Sequence, residues 1–222
     1  MENSSRKNPA RWIEISFNIS YLLIVFVSAF LLYKTAQAGD FRWKFAIMSF
    51  LLGAGDSFHL IPRIISLLDC SDRDYTVSLG LGKLITSVTM TVFYLFLWEI
   101  GKEHYALDIK GSLSTIVYCL ALLRIILSLL PQNRWTHKNP SLKWGSIRNI
   151  PFLILGAIVM FLFLAGAIIH GGALSFLWLA ILISFACYMP VVLFVHKNRK
   201  LGMLMLPKSC AYVAIVLMGF FL

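Results

Sequence analysis

Seven long apolar stretches dominate the chain, at approximately 12–33, 44–68, 78–99, 112–130, 149–169, 174–195 and 203–222, separated by short polar connections. Crossing the hydrocarbon core of a bilayer takes about 20 apolar residues in a helix, and each stretch is about that long. The runs are unbroken rather than alternating apolar with polar over ten residues, so they predict helices and not the strands of a barrel. Residues 1–222 therefore read as one all-α, polytopic membrane domain of seven transmembrane helices, with no room for a second folded unit. The segment before the first run is polar, and the run exceeds the 7–15 apolar residues or so of a signal peptide, which predicts a retained span. No internal repeat is visible, so an inverted-repeat transporter has no support.

Composition agrees. Hydrophobic residues make up 59% and charged residues 14%, with a mean hydropathy of +0.80, which excludes an ordinary soluble domain. The formal net charge of +10 is unevenly distributed: residues 1–109 hold all ten carboxylates with ten Lys and Arg, and residues 110–222 hold ten Lys and Arg with no Asp or Glu. Basic residues in this number raise the question of nucleic acid. Their concentration in loops at one end of the spans instead fits the positive-inside bias and anionic lipid, so no nucleic-acid partner is expected. Eleven of them (Arg6, Lys7, Arg11, Arg73, Arg134, Lys138, Lys143, Arg148, Lys197, Arg199, Lys200) fall outside the spans on the N-terminal side, against five (Lys34, Arg42, Lys44, Lys102, Lys110) opposite. This predicts a cytoplasmic N-terminus in a cell or inner membrane. Trp12, Trp43, Trp98 and Trp178 lie near span ends, as an interfacial belt would place them. Cys70, Cys119, Cys187 and Cys210 form no CxxC pair and read as free thiols.

Ionisable residues inside the spans change the picture most, because each costs about 2.5–3.5 kcal/mol on insertion scales and tends to face the bundle interior. In the second span Asp56 lies near the midplane, with His59 and Arg63 nearer the N-terminal side. At 100° per residue, Arg63 projects about 20° and His59 about 60° from Asp56, so the three share a stripe that Ser49 extends. Lys83, Arg124 and Lys208 come from three other spans at similar depth, while Glu99 belongs to the opposite interface. Three arrangements are open: Asp56 pairs with Arg63 or Arg124; Lys83 and Lys208 snorkel to the interface; or an external anion, such as a lipid phosphate, balances the surplus cations. No metal or other cofactor is indicated. The last span has no histidine, His104, His137 and His196 are in loops, His170 is near a span end, and no GxSxG or phosphate-binding Gly loop occurs.

The stretch LLGAGDSFHLIPR, Leu51 to Arg63, resembles the Gly-Asp motif followed by an apolar stretch and Pro-Arg in the YhhN-like lysoplasmalogenase family of integral membrane proteins. Fainter similarities follow at Gly82 and Ser87, in the HKNRK loop, and in the terminal SCAYVAIVLMGFFL. The resemblance implies a seven- or eight-span hydrolase that cleaves the vinyl ether of lysoplasmalogens into a fatty aldehyde and a glycerophospho head group. It implies Asp56 as the first catalytic aspartate, with Arg63 and Lys208 holding the lipid phosphate; Lys83 and Arg124 are further candidates for substrate binding. The second aspartate of that family is absent: the corresponding region reads ISFACYMP, with Cys187 near the position. His59, one turn from Asp56, is the candidate replacement. The expected partner is thus a membrane lipid of the lysophospholipid type. The alternatives are a non-enzymatic protein binding lipid or a small anion, and a proton-coupled carrier relaying through Asp56 and His59.

Overall fold

A computed structural model describes residues 9–37, 40–69, 71, 73–106, 109, 111–194 and 198–222. Arg6, Lys7, Cys70, Lys110, His196 and Lys197, all invoked above, lie outside the described residues. Seven helices follow in order: α1 (Pro9–Thr35), α2 (Arg42–Leu68), α3 (Thr76–Tyr105), α4 (Gly111–Leu129), α5 (Leu142–His170), α6 (Leu177–Phe194) and α7 (Met205–Met218), the last flanked by 3-10 turns at Arg199–Leu204 and Gly219–Phe221. All seven segments are long and apolar enough to cross a membrane once the turns beside α7 are included, so this is an integral membrane protein. Sequential helices pack side by side, α7 returns to α1, and α3 also touches α4 and α5. Short connections make neighbours antiparallel. The α2–α3 and α4–α5 connections meet at the N-terminal end, where Lys138 pairs with Asp74 at 3.5 Å. At the opposite end, Lys44 on α2 pairs with Glu103 on α3, and the Tyr118 hydroxyl on α4 donates to Glu99.

Two spans are longer than the apolar runs suggest. Helix α5 starts at Leu142, where the Ser141 hydroxyl accepts from the Trp144 N–H at 3.4 Å, so its first two turns carry Arg148 and Asn149. Helix α3 runs to Tyr105 and ends at Ala106 in the left-handed region (φ 45°). This places Trp98 inside the helix rather than at its end. Trp98 is fully buried in the core with Phe93, Leu97, Leu155 and Phe163, and so is not an interfacial anchor. Trp12 and Trp43 are exposed, as a belt requires.

A close backbone contact between α2 and α3 involves proline and glycine together. Pro62 has no N–H to give the Phe58 carbonyl one turn earlier in α2. That carbonyl turns towards α3 at Gly82, where a Cβ would stand 2.2 Å from the Phe58 oxygen and 2.7 Å from the His59 Cα. One turn towards the opposite end, the Thr86 hydroxyl donates to the Gly55 carbonyl at 3.0 Å. Gly82→Ala is expected to push the helices apart at a cost of about 1–3 kcal/mol in unfolding experiments in micelles. Gly111→Ala, whose Cβ meets nothing within 4 Å, should stay within about 0.5 kcal/mol of the parent.

In the α2–α3 connection, Asp69 accepts from the Tyr75 hydroxyl at 2.5 Å and from the Ser71 N–H and hydroxyl at 2.8 Å each. These bonds, that of Tyr75 foremost, hold the carboxyl down at about 2. A depressed carboxyl stabilises the fold above the unfolded value of about 3.9, and this contribution is lost as pH falls towards 2. A carbon-13 titration of Asp69 in micelles should show its midpoint near 2. A midpoint at the unfolded value would contradict these bonds.

Candidate polar site between the helices

The N-terminal half of the bundle contains a polar layer to which all seven helices contribute. Helix α2 divides its stripe between two neighbours. Asp56 accepts from the Tyr21 hydroxyl of α1 at 2.6 Å, and Lys208 on α7 is the cation whose charge reaches it. Arg63, two turns on, faces α1 too: its Nε donates to Glu14 Oε1 at 2.7 Å and its Nη2 to Oε2 at 3.3 Å. His59 faces α3 instead, with its Cα against Gly82 and the Leu79 backbone beside its ring. Its Nδ1 is buried without a hydrogen-bond partner, and Lys83, Arg63 and Lys208 are the charges around it.

Pairing of Asp56 with Arg63 or Arg124 is therefore not what the chain adopts. Arg63 is taken by Glu14, a carboxylate in the first turns of α1 that the sequence balance of buried charge leaves out. Among the described residues, Asp56, Arg124 and Lys208 form no ion pair. Lys83 is exposed on α3 and suits an interfacial, snorkelling position.

Arg124 is the least expected member. It is 2% exposed, its Cζ lies 3.1 Å from the Phe152 ring centroid, and its Nε and Nη1 are buried with no hydrogen-bond partner. Tyr94, Tyr188 and Tyr212 lie near it, and Arg148 adds a second positive charge nearby. Lys208 does not snorkel. Its Nζ sits over two tyrosine rings, 4.8 Å from the Tyr188 centroid and 5.2 Å from that of Tyr212. A desolvated cation–π contact is worth about 2 kcal/mol, while taking a lone ion out of water costs several kcal/mol, so ring faces alone do not balance Arg124.

A second polar group closes the layer at the N-terminal end. Asn133 is fully buried, and its amide donates to the carbonyls of Leu127, Ser128 and Leu130 at 2.7, 3.3 and 2.9 Å, satisfying the C-terminal turn of α4. Its Oδ1 accepts from Arg148 Nη1 at 2.7 Å, and the Arg148 Cζ stacks 4.0 Å from the Trp135 centroid. The Tyr188 hydroxyl donates to Asn149 Oδ1 at 3.0 Å, and the Ser87 and Ser128 hydroxyls bond at 2.9 Å.

Of the six residues singled out from the sequence, Asp56, Arg124 and Lys208 thus belong to one interior cluster, His59 flanks it, Arg63 is occupied by Glu14, and Lys83 is outside. Tyr21, Tyr94, Tyr188 and Tyr212 were not singled out. The available signal was their mid-span position, since a buried tyrosine hydroxyl needs a polar partner. Among the described residues no group of three or more His, Cys, Asp or Glu could hold a metal, and Cys119, Cys187 and Cys210 are free. No protein-family profile, curated protein or solved structure matches the chain.

Proposed function

We propose that this membrane protein binds an anionic amphiphile of the lysophospholipid type in a cavity formed by the polar layer, and that Asp56 hydrolyses its vinyl ether as the similarity to lysoplasmalogenases implies. One observation supports this reading above others: a mid-span carboxyl held by a single tyrosine hydroxyl, in a layer whose other unpaired charges are positive. The Tyr21 bond orients Asp56 through Oδ2 and leaves Oδ1 for the substrate. The Asp56 carboxyl gives its proton to the outer vinyl carbon, leaving an oxocarbenium ion that the carboxylate stabilises. Water adds to the cationic carbon, its proton returns to the carboxylate, and the hemiacetal collapses to a fatty aldehyde and the glycerophospho alcohol.

In this reading the N-terminal end of the bundle, with its excess of Lys and Arg, faces the cytoplasm of a cell or inner membrane. The lipid enters from that leaflet. The test is incubation of the purified protein with a lysoplasmalogen and with acyl lysolipids, measuring aldehyde and fatty acid. Aldehyde from the lysoplasmalogen supports hydrolysis, and its absence under conditions where the lipid binds contradicts it.

A second reading, binding without hydrolysis, is favoured by His59. The residue that would replace the missing second aspartate lies on the α3 flank of α2, whereas Asp56 faces α1 and α7. Bound lysolipid recovered intact after prolonged incubation would select this reading.

A further inference from the structure

The uncompensated charge is concentrated at one place, which the amphiphile reading alone does not specify. Arg124 is 2% exposed, and two of its guanidinium nitrogens have no acceptor. The Tyr94 hydroxyl is buried beside the hydroxyls of Tyr212 and Ser184 and makes no well-aligned hydrogen bond to either. The Tyr94 and Phe152 rings meet edge to face at 5.0 Å, and Phe152 carries Arg124 on its face, so the tyrosine and the guanidinium line one aromatic cluster. Tyr188 packs on the same Phe152 at 6.1 Å and brings Lys208 with it. Arg124 and Lys208 are close enough to act on each other as like charges; the Asp56 carboxyl offsets Lys208 in part and leaves Arg124 uncompensated, and neither cation forms an ion pair among the described residues. Like charges are held together in a low-dielectric interior only at a cost that an anion between them would offset.

We infer that Arg124 and Lys208, with the Tyr94 hydroxyl, form a binding site for a phosphate group, carried by a lipid head group or free. The donors come from α3, α4 and α7. Donors on three elements suit the several oxygens of a tetrahedral phosphate better than the two coplanar oxygens of a carboxylate, and an arginine fork is matched to phosphate. Arg63 and Lys83 are not part of the site, the first being held by Glu14 and the second exposed. This deepens the amphiphile reading by naming where its anion sits, and it does not require hydrolysis.

The full chain, purified in an uncharged detergent, should be titrated separately with inorganic phosphate, lysophosphatidate, monoacylglycerol of the same chain length, and chloride at matched ionic strength, following thermal unfolding. Phosphate or lysophosphatidate should raise the melting temperature; monoacylglycerol and chloride should not. A shift with lysophosphatidate alone identifies a lipid head group, and equal shifts with both identify the free anion. Arg124→Gln and Lys208→Gln should each raise the half-saturating concentration about tenfold or more, and Lys143→Gln, on the exposed start of α5, should leave it within about twofold. Arg124→Lys keeps the charge without the fork and should weaken binding by about fivefold, which covers a glutamine variant that does not fold. Arg124→Met should melt no lower than the parent without phosphate, because a buried unpaired cation has been removed. No shift with either phosphate compound, or an unchanged half-saturation in the Arg124 variants, overturns the site. Aldehyde release persisting beside such a result would leave the hydrolytic reading standing without it.

Discussion

Asp56→Asn is expected to lower aldehyde release from a lysoplasmalogen by about 10²- to 10⁴-fold, the range that one positioned proton donor contributes. Asparagine nearly preserves the volume of Asp56 and can still accept from the Tyr21 hydroxyl, so the α1–α2 contact survives while the exchangeable proton does not. Lysolipid binding should change little, because the cations without partners are Arg124 and Lys208. Tyr21→Phe separates orientation from proton donation. It removes the 2.6 Å bond and leaves the acid, and should therefore cost less than Asp56→Asn. Aldehyde release by Asp56→Asn within about twofold of the parent would remove Asp56 from the mechanism.

A large effect on stability is expected at Asn133, distant from the proposed chemistry. Its amide serves three carbonyls at the end of α4, and its oxygen holds Arg148. Asn133→Ala leaves the Leu127 carbonyl and an Arg148 N–H without their partner, while the Ser128 carbonyl keeps the Trp135 indole N–H and the Leu130 carbonyl keeps the backbone N–H of residue 133, at an expected cost of about 1–3 kcal/mol in unfolding experiments in micelles. Asn133→Asp should behave differently: it retains an acceptor for Arg148 and loses the donors, placing a carboxylate against the negative end of the α4 dipole. A loss below about 0.5 kcal/mol for Asn133→Ala would show that water replaces the amide freely.

The seven spans are legible because hydrocarbon imposes the same demand on every crossing helix, and that demand is written as length and apolarity. Helix ends are less so. The start of α5 is polar, LKWGSIRN, and forms helix because Ser141 caps it and Asn149 bonds back to the Gly145 carbonyl at 2.8 Å, neither of which hydropathy records. Trp98 sits where a belt residue would if α3 ended at residue 99, but the helix continues to Tyr105 and turns the indole into the core.

The candidate site is legible as residue types and not as partners. The stripe of Asp56, His59 and Arg63 follows from helical period, and the structure divides it along its 60° offset: Asp56 and Arg63 go to α1, His59 to α3. Which carboxylate would reach Arg63 depended on the packing of α1 against α2, and Glu14 is 49 residues away in sequence. The tyrosines around Arg124 and Lys208 come from α3, α6 and α7, a juxtaposition that only tertiary packing creates.

Occupancy of the polar layer by an anionic amphiphile is what the proposed function requires first. Photo-cross-linking with a lysophospholipid carrying a photoreactive group beside its phosphate, followed by peptide mapping, tests this most directly. The predicted adducts fall on the turns of α4 and α7 that carry Arg124 and Lys208, and free lysolipid should compete them away. Adducts confined to outward-facing residues such as Phe161 and Ile168, and indifferent to competition, would contradict it.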